Sequence, residues 1–538
     1  MGAIVLGALS LPLHYPPLLR PANELSRLYL TQAIVDDGSL STDGPTKRYG
    51  ANDDFALHEG RHYSDKAPGV SFLAIPIYAA ARLLGLGPDR LHAHIRLQTF
   101  LLLILPSVLM LGLIARFTAA VSGSSELAGW SVATAWLVAS PSTFYATTLF
   151  GHHAAALALI GACEAARRAR LSGSHGLFGA AGLLAGLAVL CELPAALLAL
   201  FVAGFALWPW GPGDVRPRLS SALALAAGAA VPAAMLIGYN VACFGSALSL
   251  SYASIGNPSF TRFHHMGVLG LGPPRPEVIP YWLWGAERGL LPVAPWMGLA
   301  ALGCMLRPRR AAIACGLAFL AFTVALSGYF KPSGGACVGP RHLGPALFLL
   351  LPLCARALDG AIGRRLFLGA SAAAVLFVWS FHATLPYAVQ SDHPIGEQAL
   401  PLVLSGSYAA SNLPGLGGLR TPIAFATLAL ALAAIIISQR PRVAQMIWGL
   451  AVVGALVFAT IAIAEPDNIA SRLERADARW AMGIDEKYAV IRGPDGNFVM
   501  LPMRMLSRPV EPPSGSDQVR PSRGDAPGPA LTPSAPTR

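Results

Sequence analysis

Residues 67–87 read APGVSFLAIPIYAAARLLGLG. The stretch matches the roughly 20 apolar residues that a bilayer span requires. A crossing here would invert every loop that follows, so its reading decides the topology of the whole chain. The loops themselves supply the answer. Apolar runs separated by polar turns predict thirteen spans, at 1–13, 97–115, 128–146, 149–166, 175–191, 193–210, 219–241, 289–306, 311–329, 343–355, 366–384, 421–437 and 443–464. Every second connection carries arginine: Arg116; Arg167, Arg168 and Arg170; Arg216 and Arg218; Arg307, Arg309 and Arg310; Arg356, Arg364 and Arg365; Arg440 and Arg442. Cytoplasmic loops hold the excess of Lys and Arg. The arginine loops therefore belong in the cytoplasm. Loops 14–96, 242–288, 330–342 and 385–420, with the tail after 465, belong outside. A spanning 67–87 would turn the arginines outward, so it is expected to be a re-entrant or interfacial helix on the outer side.

Composition agrees. The chain has 538 residues, of which 12% are charged and 54% apolar; soluble domains carry about 25% charged residues. So few charges cannot cover the surfaces of several soluble domains. The apolar content excludes disorder for most of the chain. Net charge is +11, yet no dense basic stripe suits a nucleic acid. An all-α polytopic membrane protein remains. Its seven cysteines show no CxxC or metal-ligand spacing. Most sit in apolar runs as small packing residues, and Cys243 and Cys337 lie near segment ends. The first span is short, but it lacks the basic n-region and cleavage site of a signal peptide. Residues 1–465 are expected to form the membrane domain. Residues 466–507 form a small external segment, with a β-hairpin at 486–502 around Gly493-Pro494-Asp495-Gly496. Residues 508–538 are Pro-rich and expected to be disordered.

Charge concentrates in the first external loop. Residues 21–66 hold thirteen charged side chains, eight of them acids: Glu24, Asp36, Asp37, Asp43, Asp53, Asp54, Glu59 and Asp65. Leu25, Leu28, Tyr29 and Gln32 follow helical spacing, which predicts an interfacial helix over 23–35. Glu24 at its start is either a favourable helix-end acid or a chemical group. Gly60-Arg61-His62-Tyr63-Ser64-Asp65-Lys66 precedes the Pro68-Gly69 break and puts Lys66 at phosphate depth. There it either pairs with a lipid phosphate as a point charge or snorkels. All four lysines, Lys47, Lys66, Lys331 and Lys487, fall outside.

Four further places stand out. In Phe150-Gly151-His152-His153 the adjacent histidines do not share a helix face, so a two-His metal site is not expected. Glu192 lies at the outer end of a span. A carboxylate costs about 2.5–3.5 kcal/mol at the bilayer centre and less near the surface, and structural and functional roles both fit. The loop Phe330–Pro345 has glycines for tight turns, and Arg341 and His342 close it. An outer arginine breaks the charge trend and points to an anion. Loop 242–288 carries Tyr252, Phe260, Arg262, Phe263, His264, His265, Tyr281, Trp282 and Trp284, which suit sugar rings, lipid or an interfacial belt.

The order of these features resembles bacterial membrane glycosyltransferases of the C-type fold (GT-C), the group that includes protein O-mannosyltransferases and lipid A aminoarabinose transferases. The resemblance runs over residues 1–465 through Asn23-Glu24-Leu25-Ser26-Arg27, Gly60–Gly69, Phe150-Gly151-His152, Glu192-Leu193-Pro194, Arg288-Gly289-Leu290-Leu291 and Gly339-Pro340-Arg341-His342. It implies a bundle of about 13 transmembrane helices with external juxtamembrane helices. It also implies transfer of a sugar from a polyprenyl-phosphate donor to a lipid, glycan or protein acceptor. The enzyme would sit in the bacterial inner membrane with its site facing the periplasm. By resemblance Glu24 is the first choice of general base and Asp54 the second. Arg61, Tyr63, Lys66, Arg341 and His342 would meet the donor phosphate, with Asn23, Arg27, Asp53, Asp65, His152 and Glu192 close by. Relatives often have Asp-Glu where this chain has Asn23-Glu24, and an Asp where it has His152. A divalent metal is implied only by that group, and the Asn weakens the case. The other classes that fit the composition are a transporter or flippase of lipid-linked sugars and a polysaccharide polymerase or ligase. A transporter calls for ionisable residues at mid-membrane, whereas the charges here gather outside.

Overall fold

The structure, a computed structural model, describes residues 1–11, 22–211, 213–257, 270–335, 337–384, 394–404 and 419–439, together with Gly267, Gly406 and Tyr408. The expected span at 443–464, the hairpin at 486–502, the Pro-rich tail, Lys487, Arg440, Arg442 and the stretch Phe260–His265 lie outside the described residues.

Helices dominate. In chain order the ones used below are α1 (Gly2–Ser10), α2 (Ala22–Asp37), α3 (Asp43–Tyr49), α4 (Gly69–Leu83), α5 (Leu91–Ser122), α6 (Glu126–Val138), α7 (Pro141–Ala146), α8 (Gly151–Ser172), α9 (His175–Cys191), α10 (Leu193–Leu207), α11 (Leu219–Phe244), α12 (Pro295–Met305), α13 (Arg310–Leu326), α14 (Leu351–Ala357), α15 (Ala361–His382) and α16 (Arg420–Gln439), with short helices at Val278–Trp284, Leu290–Val293 and Leu400–Leu404 besides. Side chains and glycines close many ends. Ser125 accepts the Ala128 N–H at the start of α6, and Ser174 the Leu177 N–H at the start of α9. Left-handed Gly123, Gly173 and Gly245 stop α5, α8 and α11. Such caps matter more in lipid, where no water satisfies an open backbone group.

Among the described residues, α5, α11, α15 and Arg420–Ser438 are long and apolar enough to cross a membrane. α11 buries only 17% of its apolar window, and it exposes Leu223, Val231 and Ile237. This is a surface made for lipid. On its inner side α11 meets α9 backbone to backbone. A Cβ on Gly182 would overlap the Leu225 carbonyl, and one on Gly228 would overlap the Gly179 carbonyl. Small residues permit that approach. All seven cysteines are free thiols, so Cys243 and Cys337 are not bridged.

Three expected spans are interrupted. The run 128–146 divides into α6 and α7 at Ser140-Pro141. The run 289–306 divides into Leu290–Val293 and α12 around Pro292 and Pro295. The run 343–355 is a 3-10 helix over Arg341–Leu350 followed by α14, with Pro345 and Pro352 inside it. Proline lacks the N–H that a continuous helix needs and disfavours helical backbone before it.

Hydrogen bonds sort the connections into two ends. At one end Arg309 donates to the Ala120 carbonyl (2.8 Å), Arg356 to the Leu306 carbonyl (3.1 Å), and Arg170 pairs with Asp214 (3.4 Å). This is the arginine end. At the other end the segments around Glu24, Asp65, Leu149, Glu192, Ser251 and Arg341 meet. α4 begins and finishes at this second end. A Cβ on Gly69 would lie 2.6 Å from the Leu190 carbonyl oxygen, and just past α4 the Gly87 carbonyl meets His94 Nε2 at 3.0 Å, near the start of α5. Its 15 residues give a length of about 22 Å, short of a hydrocarbon core of about 30 Å. Its partner along the surface is α2, through Tyr78 donating to Asp36 at 2.6 Å. Residues 67–87 thus stay on one side of the bundle.

Candidate active site

Six segments meet at the second end, and most of them bring charged side chains. α2 is apolar on one face, through Leu25, Leu28 and Tyr29, but its buried set also includes Asn23, Glu24, Ser26, Arg27 and Gln32. A helix with polar residues buried on several faces must find partners in neighbouring segments. Glu24 is fully buried, and its Oε1 accepts the Leu149 N–H at 2.6 Å. Ser26 donates to Asp65 Oδ1 at 3.0 Å and lies 2.9 Å from the Ser64 hydroxyl.

Those contacts seat the loop that carries Lys66. Its Nζ lies 2.9 Å from Asp54 Oδ2 and 2.8 Å from Asp65 Oδ2. Ser251 donates to the Asp65 carbonyl at 2.8 Å and brings in the 245–257 segment. Lys66 is therefore not an open point charge at the lipid surface, because two carboxylates already match it. Burial, the largest influence on both acids, raises Asp65 above the usual carboxylate range. For Asp54 the adjacent Lys66 ammonium outweighs burial and holds the carboxyl below that range. Lys66 itself is desolvated, but the two acids raise it and keep it charged.

A second group stands beside the first. Arg27 bonds the Asn23 carbonyl at 2.9 Å and also the Asn23 side chain, and its NH2 lies 3.9 Å from Glu192 Oε2. His152, at the start of α8, places Nδ1 3.2 Å from the same Glu192 oxygen. Arg341 Nε donates to His152 Nε2 at 3.3 Å, and Arg341 NH1 to the Gly334 carbonyl at 3.0 Å. The Arg341 guanidinium lies over the Phe150 ring at 4.9 Å. Burial raises the Glu192 carboxyl, yet His152 and Arg27 hold it down to about 2. The two groups share one field, since Asp54 feels Arg341 and Arg27, and Arg27 feels Asp65. Gly151 makes this possible. A Cβ there would overlap the Cys191 carbonyl and lie 2.7 Å from Glu192 Oε2 and 3.1 Å from Arg27 NH2.

The other expected residues lie around this centre. β1 (Ala56–His58) and β2 (Arg61–Tyr63) form a hairpin whose turn residues Glu59 and Gly60 both have positive φ, 48° and 75°, the turn type that fits strand twist. The hairpin turns Arg61 toward Asp43 (3.7 Å) with 59% of its side chain exposed. Tyr63 packs on Phe244 at 5.5 Å. His342 Nε2 faces the Lys331 carbonyl at 2.9 Å, and the Asp53 carbonyl accepts from Asn257 at 3.1 Å. Among the described residues no group of three His, Cys, Asp or Glu side chains is placed to hold a metal ion.

With the site in place, the chain can be set beside known proteins. Its fold is similar to two crystal structures of ArnT from Cupriavidus metallidurans. One is bound to undecaprenyl phosphate, at 16% identity, and covers 91% of this chain and 78% of that one. The other is the apo state, at 17% identity, covering 91% and 77%. The TM-score is 0.48 in both. No protein-family model and no curated protein matches the chain.

The structure also adds residues with no sequence signal of their own. Ser26 and Ser64 fix Asp65 and the Lys66 loop. Tyr145 stacks on His152 at 5.5 Å and donates to the Val338 carbonyl. Tyr329 stands edge-on to His342 at 4.9 Å. Ser26 and Ser64 lie within Asn23–Arg27 and Gly60–Lys66, but hydroxyls of this kind leave no periodic trace.

Proposed function

We propose that this chain is an integral-membrane glycosyltransferase that moves a sugar from a polyprenyl-phosphate carrier to an acceptor at the external face. One observation carries the proposal. The cations Lys66, Arg27 and Arg341 and the carboxylates Asp54, Asp65 and Glu192 form one buried field at the end of an apolar bundle. Such a field suits a phosphate leaving group beside a general base. An apolar groove lies between α10 and α13, lined by Leu197, Leu198, Phe201, Phe322 and Ala325. α10 begins just after Glu192 and α13 ends just before Tyr329, so the groove offers a polyprenyl tail a path that ends at the charges.

In this mechanism the acceptor oxygen attacks the anomeric carbon, and the bond from that carbon to the phosphate oxygen breaks. The electron pair leaves with the lipid phosphate, whose growing charge Arg341 and Arg27 offset. The acceptor proton goes to a carboxylate. Glu24 is sealed against the Leu149 N–H, while the Asp54 side chain keeps 22% of its surface open. Asp54 therefore takes the base role, and Glu24 anchors α2. Donor sugar and acceptor class (lipid, glycan or protein) are set by parts of the cavity beyond these charges. The arginine end lies in the cytoplasm by the charge rule, which turns the site toward the periplasm. Asp54→Asn is expected to lower transfer by about 10²–10⁴-fold, the usual worth of a general base, with the protein still folded. If Glu24→Gln causes that loss instead, Glu24 is the base. If neither does, the carboxylate mechanism is wrong.

A further inference from the structure

Arg341 is the cation that breaks the charge trend, and its anchoring is unusual. A guanidinium donates only, so the Arg341 Nε to His152 Nε2 bond makes Nε2 an acceptor. The imidazole proton must then be on Nδ1, which faces Glu192 Oε2 at 3.2 Å. The ring is clamped in that orientation by Tyr145, stacked at 5.5 Å and 19°, and His152 is 4% exposed. Glu192, His152 and Arg341 thus lie in a row of carboxylate, imidazole and guanidinium, joined at its inner link by the Arg341–His152 hydrogen bond.

We propose that His152 is a positioning residue that aims Arg341 at the donor phosphate. The proposal rests on the lipid-phosphate reading above. The charged and titratable groups around the ring come from every packed segment. They are Glu192 from the α9–α10 turn, Arg27 from α2, Arg341 and His342 from the 330–342 loop, and Tyr145 from α7. His152 does not touch the reacting atoms. Its effect runs through the direction of Arg341, which the Gly334 carbonyl and the Phe150 ring hold only in part.

The side chains of Gln and Asn separate this role from mere filling of space. The Gln amide oxygen reaches about as far as Nε2 and does not titrate, whereas Asn is too short to reach Arg341. The full chain in lipid nanodiscs is titrated with polyprenyl monophosphate at pH 7.5, with folding followed by thermal melting. At pH 7.5 His152→Gln should bind within about threefold of wild type, and His152→Asn about tenfold more weakly. Equal affinity in wild type and His152→Asn overturns the inference while leaving the proposed function standing. So does a His152→Gln as weak as His152→Asn when both melt like wild type. If wild type binds no polyprenyl phosphate, the proposed function fails and the inference with it.

Discussion

At the arginine end, Glu164 pairs with Arg167 at 2.7 Å and with Arg168 at 2.6 Å, one turn along the same helix. Arg356 meets Asp359 three residues on. These partners are local, and Arg168 leaves 48% of its side chain in the open. Pairs of this kind contribute about 0.3–0.5 kcal/mol each. Arg170 is the exception, buried over the Phe205 ring at 4.3 Å. At the opposite end Lys66 is matched within its own loop, but the other partners come from distant parts of the chain. Arg27 meets Glu192, Lys66 meets Asp54, and Arg341 reaches His152. Desolvating such groups costs several kcal/mol per ion, and the pairing only roughly offsets it. The local pairs are explained by helix spacing and topology. The assembled field is not explained by stability, which is why we assign it the chemistry.

That contrast can be broken by single substitutions. The largest stability effect is expected for Lys66→Met, which leaves Asp54 and Asp65 facing each other without a counter-charge. Loss of one partner from a buried group costs about 3–5 kcal/mol, whereas Arg168→Ala should stay within about 0.5 kcal/mol. Thermal melting of both variants in the same detergent makes the comparison. An equal loss would mean that the two ends are not different in kind.

Gly151→Ala comes next. The added methyl must displace the Cys191 carbonyl or the Arg27–Glu192 pair, at about 1–3 kcal/mol. Donor binding should fall further than stability does. Gly228→Ala is the control. It overlaps a backbone carbonyl in the α9–α11 contact, and should cost stability without a selective loss of binding.

The smallest effect concerns the rim. Burial raises the Asp43 carboxyl, but the His62 N–H, the Ser41 hydroxyl and the His62 ring hold it down to about 2. The unfolded value is about 4. Asp43 therefore stabilises the hairpin loop fully above pH about 4, and that contribution disappears as pH falls through about 2. Protection of loop amides from hydrogen exchange should drop on the acid side in wild type and be low already in Asp43→Asn.

How much of this was legible in the sequence varies by residue. The placement of 67–87 was, because arginine distribution is a global signal and α4 obeys it. The charged residues were legible one by one, as chemistry out of place: Glu192 and His152 at span ends, and Arg341 against the charge trend. Their assembly was not, since Arg27, His152, Glu192 and Arg341 lie on four segments and no spacing rule joins them. Adjacency misled in one place. Arg61 and Tyr63 seemed to belong with Lys66, but a hairpin with three-residue strands is too short to show a period, and it turns Arg61 to Asp43. The broken spans at Pro141, Pro292 and Pro345 were written in the prolines and masked by the apolar run.

The central claim is that the assembled end releases a lipid phosphate. The direct measurement is incubation of the purified full-length protein in nanodiscs with polyprenyl-phosphate-linked sugars and an extract of envelope acceptors, scored for free polyprenyl phosphate. The account predicts release by wild type and by Arg168→Ala, and release about 10²-fold lower or less in Asp54→Asn. No release by wild type from any such donor, or equal release by Asp54→Asn and Glu24→Gln, would contradict it.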